Sequence, residues 1–298
     1  MHRVFVTGAT GFVGRAVIQA LRAEGHVVRC LVRRGSEADL HGFEAIERVE
    51  GDILGPPGSL EAGMAGCDTV IHLVGIIREH KSRGITFDRL HRVGTNNVLA
   101  AAAAAGVRRY LHMSALGTRA GARSRYHQTK WAAEEAVRTS GLAWTIFRPS
   151  VIYGHGDGFL SLLAGMVRRL HVMPVIGDGR QRLQPVPIEH VAAGFARAVR
   201  AEASVKQTYA VTGADAVSMI ELLQLIGAAM HRRIRIVRVP LGLIRPIAKG
   251  LHRMPTFPVT PDQLLMLEED STADPGPFYS VFGLTPLPLA QGLRQVLG

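Results

Sequence analysis

Val4-Phe5-Val6-Thr7-Gly8-Ala9-Thr10-Gly11-Phe12-Val13-Gly14 stands at the start of the chain, and its reading decides the fold. A β-prone run leads into glycines spaced Gly-x-x-Gly-x-x-Gly, and a helical pattern from Val13 to Ala23 follows at once. Each glycine has a physical task in such a turn. Gly8 permits the tight reversal, Gly11 lets backbone N–H groups approach a pyrophosphate, and Gly14 lets the helix pack close on the sheet. The helix amino terminus adds partial positive charge. A glycine triplet by itself is weak evidence, because turns everywhere collect glycine. Its place between a strand and a helix supplies the context that a dinucleotide-binding βαβ unit requires. Thr10, Phe12 and Val13 fill the same turn and join the three glycines as candidate cofactor neighbours.

The alternation continues beyond the turn. β-rich runs at Val27 to Val32, Ile46 to Val49, Thr69 to Leu73, Tyr110 to Met113 and Trp144 to Phe147 alternate with helical patterns, the longest at Phe87 to Ala105 and Tyr126 to Thr139. Strands that run in one direction need crossovers to return the chain, so the pattern predicts an α/β fold of the Rossmann type. The expected architecture is a doubly wound parallel sheet that binds ligands at the carboxyl ends of its strands. After Gly154 the rhythm changes. Helical stretches at Phe159 to Leu170, Ile188 to Arg200 and Met219 to Met230 are interrupted by strands at Gln207 to Val211 and Arg233 to Val239. Pro240, Pro246, Pro255, Pro258 and Pro261 then break the chain into short pieces. The expectation is a nucleotide-binding core over residues 1–154 and a smaller, irregular cap or substrate lobe over 155–298, interwoven with the core.

Composition narrows the function classes. The chain has 298 residues, a net charge of +11 and 47% hydrophobic residues, which suits a folded globular protein and excludes disorder and coiled coil as the main state. Lysine occurs only at Lys81, Lys130, Lys206 and Lys249, so arginine carries most of the positive charge. The arginines fall in singles and pairs and never in a run, which argues against nucleic acid as a partner. Cys30 and Cys67 lie in apolar stretches and read as buried thiols of a reducing compartment. No secretory leader and no apolar stretch of ~18 residues is apparent, so a cytoplasmic location without a membrane span is expected. The 13 histidines show no metal-ligand spacing, and no metal site is expected.

Nucleotide choice is read at the end of the second strand. There Leu31-Val32-Arg33-Arg34-Gly35-Ser36 carries two guanidinium groups and no acid that would accept a ribose 2′-hydroxyl. Arginine takes a phosphate through bidentate, charge-assisted hydrogen bonds, so NADP(H) is favoured, with NAD(H) the alternative. Arg33 and Arg34 read equally as exposed arginines of an Arg-rich chain. Asp52, followed by Ile53 after the third strand, is placed either to accept the adenine amino group or to form a turn.

Tyr126-His127-Gln128-Thr129-Lys130 puts a phenol and an ammonium four residues apart on one helix face. Chance supplies about 0.07 such pairs in a chain with this content of Tyr and Lys, so the match is informative. A phenol with a pKa near ~10 becomes a useful acid or base once a cation stabilises its phenolate, which is the role open to Lys130. Ser114 ends the strand before that helix and would polarise a substrate oxygen, while Tyr126 exchanges a proton with it. Core packing for Tyr126 and a strand-end cap for Ser114 are the plainer readings.

Taken together, Thr7-Gly8-Ala9-Thr10-Gly11-Phe12-Val13-Gly14, Ser114, Tyr126-x-x-x-Lys130 and Arg148-Pro149-Ser150-Val151-Ile152-Tyr153-Gly154 resemble the short-chain dehydrogenase/reductase superfamily, of its extended or atypical kind. His112 to Gly117, Arg148 to Gly154 and Phe282-Gly283-Leu284-Thr285 are most similar to the branch of NAD(P)-binding accessory subunits of respiratory complex I and their bacterial relatives. The resemblance implies that Leu73, Val74 and Gly75 line the cofactor and that Pro149, Ser150, Val151 and Ile152 border the nicotinamide. Two departures stand out: His91 where many members of the superfamily carry an Asn of a proton relay, and His190 where relatives often have Asp.

The leading expectation is an NADP(H)-dependent oxidoreductase acting on a small-molecule carbonyl or alcohol through Ser114, Tyr126 and Lys130. The alternatives are a non-catalytic nucleotide-binding accessory protein of a respiratory assembly, peripheral to the inner membrane, and a nucleotide-sugar epimerase or dehydratase. Leu241 to Arg253 carries apolar residues at helical spacing opposite Arg245, Lys249, His252 and Arg253, and is expected either to dock on an anionic membrane or protein partner or to pack over the substrate pocket.

Overall fold

The computed structural model describes residues 1–36, 40–43, 45–170, 172–240, 242 and 260–298. Apart from Gly242, the stretch from Leu241 to Arg253 lies outside the described residues, and so does the docking role expected of it. The elements run β1 (Arg3–Thr7), α1 (Phe12–Ala23), β2 (Val27–Val32), β3 (Glu47–Glu50), α2 (Pro57–Met64), β4 (Thr69–His72), a π-turn (Asp88–Val93) continued by α3 (Gly94–Ala104), β5 (Arg109–Met113), α4 (Arg125–Thr139) and β6 (Ala143–Pro149). They continue with β7 (Ile152–Tyr153), α5 (Phe159–Arg169), β8 (Val172–Ile176), β9 (Arg182–Leu183), β10 (Val186–Pro187), α6 (Ile188–Ala198), β11 (Gln207–Val211), β12 (Val217–Ser218), α7 (Met219–Ala229) and β13 (Arg235–Val239). Short helices at Pro261–Leu267, Gly276–Val281 and Leu289–Leu297 follow.

The chain divides into two compact units. One comprises Met1–Pro149, Ile188–Ala210 and Gly276–Leu284; the other comprises Ser150–Pro187, Val211–Pro275 and Thr285–Gly298. The first unit holds a seven-stranded sheet in the order β11-β6-β5-β4-β1-β2-β3. From β6 through β3 every pairing is parallel. The order reverses at β1, with β2 on one side and β4 on the other, which is the switch point where a doubly wound sheet opens a crevice. This is the Rossmann arrangement that the sequence predicts.

Apolar strands explain why both faces are covered. β4 is buried along its whole length, as a parallel strand sandwiched between helix layers must be. α1 buries Gly14, Val17, Ile18 and Leu21, one stripe at helical spacing, and packs with α6. α2, α3 and α4 pack in sequence, over a core that includes Phe5, Val70, Val98, Tyr110 and Ile146. Gly276–Val281 belongs to this unit because Phe278 and Phe282 enter an aromatic cluster with Phe147 and Phe195. Gly194 makes room for the Phe278 ring, which would lie 2.6 Å from a Cβ at that position. Arg197 then donates to the carbonyl of Gly283 at 2.8 Å. His190, the second departure from the family pattern, is tied through Nδ1 to the Tyr279 hydroxyl at 2.9 Å.

The second unit has its own core around Tyr153, Leu160, Leu222, Ile226 and Leu293. Its strands form three two-stranded pairs, β7 with β10, β9 with β12, and β8 with β13. The last pair starts at Arg235, two residues later than the strand expected from Arg233; Arg233 and Arg235 are exposed, while Ile234 and Ile236 are half-buried. Among the described residues no helix is long and apolar enough to cross a membrane.

Candidate functional site

The glycine turn is built as a cradle. Gly8 adopts φ +75, and a Cβ there would stand 3.1 Å from the backbone of Leu73 and Val74, so only glycine fits between β1 and the end of β4. Gly11 is exposed at the tip of the turn, where a Cβ would meet only the Gly8 carbonyl, at 3.4 Å. At Gly14 a Cβ would lie 2.2 Å from the Gly8 carbonyl and 2.6 Å from that of Ala9. The nearest groups that Gly14 admits are thus the carbonyls of the turn at the end of β1. No side chain caps the amino terminus of α1, which leaves its first amides and the helix dipole for an anion. Thr10, Phe12 and Val13 are half-buried around this terminus.

An open cavity of about 900 Å³ has a lining that includes Arg33, Asp52, Leu54, Gly75, Ile76 and Leu90 and no residue of the glycine turn; Gly75 directly follows Leu73 and Val74, against which Gly8 packs. Arg33 reaches it from the end of β2, and Arg34 is exposed in the same turn. Asp52 forms a turn, accepting the Leu54 N–H at 2.8 Å, while still lining the cavity. The Ile53 side chain is buried in the core against Gly94, and its carbonyl accepts from Asn97 at 2.8 Å. Arg78 and Arg83, from the loop between β4 and the π-turn, and Arg89, from the π-turn itself, also line it; neither segment carries a motif, and the sequence reading missed them.

Tyr126 and Lys130 lie one turn apart on α4, whose amino terminus is capped by Ser124 accepting the His127 N–H at 3.2 Å. Both side chains are buried. Lys130 Nζ donates to the Met113 carbonyl at 2.9 Å. It also sits 3.0 Å from the place a Cβ would take at Gly75, so the cavity wall and the helix pair meet at that glycine. Burial pushes the Tyr126 phenol up to about 12, and it holds its proton at neutral pH. Burial lowers the Lys130 ammonium to about 8, against the attraction of Glu134.

Ser114 is directed elsewhere than the sequence implied. Its hydroxyl donates to Glu134 Oε1 at 2.5 Å and lies 3.4 Å from Thr118 Oγ1. Glu134 is fully buried and is also held by Arg148 Nε at 2.8 Å and Arg138 Nη2 at 2.6 Å, with both arginines over the Trp131 ring. These bonds fasten α4 to the carboxyl ends of β5 and β6. The structure thus brings Tyr126 and Lys130 together with Gly75, while the Ser114 proton is engaged by a carboxylate.

His91 occupies the π-turn and touches both halves of the site. Its Nε2 accepts the Ile76 N–H at 3.1 Å, which leaves the ring proton on Nδ1, 2.9 Å from Thr129 Oγ1 on α4. The ring meets Tyr126 edge-on at 5.3 Å between centroids and stacks on Phe87 at 5.5 Å. Burial, with the nearby Lys130 charge, drives its pKa down to about 2, so it stays a neutral imidazole. Deeper in the sheet, His72 is kept neutral by burial and bridges Thr7 at 2.7 Å and Thr95 at 3.1 Å.

Pro149 ends β6 in the first unit, with its carbonyl accepting the Leu116 N–H at 2.9 Å. Ser150, Val151 and Ile152 belong to the second unit. Ser150 Oγ lies 3.2 Å from Ser271 Oγ, Val151 accepts from Val186, and Ile152 pairs with Val186 in β10.

A family model described as NAD(P)H-binding matches residues 8–159, and one described as the RmlD substrate binding domain matches 119–249. The chain is 32% identical to ceramide reductase of Caulobacter vibrioides, over 80% of this chain and 73% of that protein. It is 30% identical to the mitochondrial NADH dehydrogenase [ubiquinone] 1 alpha subcomplex subunit 9 of Arabidopsis thaliana, over 89% of this chain and 67% of that one. In fold it is similar to UDP-glucose 4-epimerase of Thermotoga maritima, with a TM-score of 0.77 and 18% identity over 99% of this chain and 97% of that one.

Proposed function

The chain belongs to the NAD(P)H-binding, extended short-chain dehydrogenase/reductase superfamily, and from that premise we propose that it is an NADP(H)-dependent oxidoreductase acting on a small carbonyl or alcohol. The observation that carries this reading is the meeting at Gly75, where the wall of the nucleotide cavity approaches Lys130 Nζ one helical turn from the Tyr126 phenol. The residues present suit a dinucleotide: a glycine cradle no side chain could occupy, an uncapped helix terminus for the pyrophosphate, and Arg33 in the adjoining cavity. A bound nicotinamide supplies or accepts the hydride.

Every proton step then falls to this chain. Tyr126, protonated at neutral pH, donates to the substrate oxygen in reduction and recovers the proton from an alcohol in the reverse direction. Lys130 holds the cofactor ribose through its ammonium and offsets negative charge developing on the phenol oxygen. Ser114 takes the substrate oxygen only by exchanging its bond to Glu134, so Ser114→Ala is expected to lower turnover less than Tyr126→Phe does. The nucleotide assignment is tested by calorimetry: NADPH binds more tightly than NADH, and the Arg33→Ala, Arg34→Ala double variant loses that preference. Equal affinities in the unaltered chain contradict the assignment.

A second reading, a nucleotide-binding accessory protein of a respiratory assembly, is favoured by the relatives named as subunits of mitochondrial NADH dehydrogenase and by the engagement of Ser114 with Glu134. The oxidoreductase reading places the chain in the cytoplasm. The accessory reading places it at the face of the inner membrane.

A further inference from the structure

The loop between β4 and the π-turn is a built structure. His80 and Ile85 exchange backbone hydrogen bonds at 2.8 and 3.2 Å, closing a small hairpin around the turn Lys81–Arg83. Gly84 ends that turn at φ 67, a conformation that favours glycine. Glu79 Oε1 accepts the Phe87 N–H at 2.9 Å, and Arg89 Nη1 donates to the Gly84 carbonyl at 2.9 Å, so the hairpin is pinned at its base and at its turn. This pinned loop carries Arg78 and Arg83, and the π-turn carries Arg89, to the cavity that Arg33 enters from β2.

The charge balance of the cavity is one-sided. Four arginines and His80 line it against a single carboxylate, Asp52, which already accepts a backbone N–H. The loop's own acid, Glu79, stands 3.6 Å from Lys81 Nζ and is tied to the Phe87 amide. At the adenosine ribose a phosphomonoester presents two charges and several acceptor oxygens to such a wall, where an unmodified hydroxyl presents a neutral group.

We infer that Arg78, Arg83 and Arg89 form a second cationic wall of the nucleotide cavity, acting with Arg33, and that the wall selects adenosine carrying an additional ribose phosphate. The inference rests on the dinucleotide reading above and names residues that determine its specificity. A pinned wall needs little ordering when the ligand arrives, so its hydrogen bonds count toward affinity.

The test uses the full chain, titrated with NADPH, NADH, adenosine 2′,5′-bisphosphate and AMP at low and moderate salt. The variants are Arg83→Ala, Arg78→Ala with Arg83→Ala, and Arg33→Ala, and thermal melts check that each is folded. The double variant is expected to lose at least about tenfold in affinity for NADPH and the bisphosphate, while NADH and AMP change by less than about twofold. The salt dependence of NADPH binding should flatten with it. If Arg33→Ala alone removes the NADPH preference while the double variant binds all four ligands as the unaltered chain does, the second wall is overturned and the dinucleotide reading stands. Equal weakening toward NADPH and NADH also overturns it. An unaltered chain with no preference between the two dinucleotides overturns both.

Discussion

Tyr126 and Lys130 are each shifted toward their uncharged forms, the phenol up to about 12 and the ammonium down to about 8. The sequence reveals the pair through its four-residue spacing but not this balance, which depends on burial created by Phe87, His91 and the loop at Gly75. A protonated phenol suits the reductive direction. Tyr126→Phe keeps the ring's packing and removes only the transferable proton, so turnover should fall by at least about a hundredfold while calorimetric NADPH affinity stays within about twofold. The lysine makes a stability prediction with a definite sign. Because burial brings its folded pKa to about 8, below the ordinary lysine value of ~10.4, the folded state gives up the proton first, and stability rises with pH across that window. Lys130→Met lacks this contribution. Denaturant unfolding at about pH 7 and about pH 10 should therefore show the unaltered chain gaining on the variant at the higher pH; a constant difference contradicts a depressed lysine.

Among the elements, α4 is held by a buried carboxylate and the loop at Ile76 by a histidine. Glu134 gathers Arg138, Arg148 and the Ser114 hydroxyl behind the helix. Removing a buried ion-pair partner strands the charges it neutralised, so Glu134→Ala should cost about 3–5 kcal/mol in unfolding free energy. A cost below about 1 kcal/mol would mean that the network is solvated and weak. Helical spacing marked α4 itself and pairs Glu134 with Arg138 one turn on, yet nothing in Glu134 separated it from an ordinary surface acid, because its other partners, Ser114 and Arg148, come from the ends of β5 and β6 and meet it only in the folded chain. The π-turn was hidden for a similar reason. The run from Phe87 to Ala105 reads as one continuous helix, whereas its first six residues widen to carry His91 between Ile76 and Thr129. α2 escaped the pattern because it is short and opens on Pro57, with little amphipathic contrast.

Across the whole molecule, the parallel sheet was legible because most of its strands are apolar runs and crossovers such as α1 are amphipathic helices, each a local signal. The order of the strands follows from right-handed crossovers around the glycine turn. Less legible was the assignment of Ile188–Ala210 and Gly276–Leu284 to the first unit, since it rests on distant partners such as Phe147 with Phe195 and Phe278. The basic wall of the cavity was invisible for the same reason: Arg33 and Arg83 are fifty residues apart in sequence and share a cavity only in the fold. Hydride transfer by this chain with Tyr126 as its proton donor, as proposed above, is checked by loading the purified chain with NADPH, adding a small-molecule extract of cells, and following the loss of nicotinamide absorbance. Oxidation of NADPH by the unaltered chain and almost none by Tyr126→Phe is the expected result. Firmly bound NADPH that the extract leaves reduced, or oxidation at equal rates in both proteins, would contradict it.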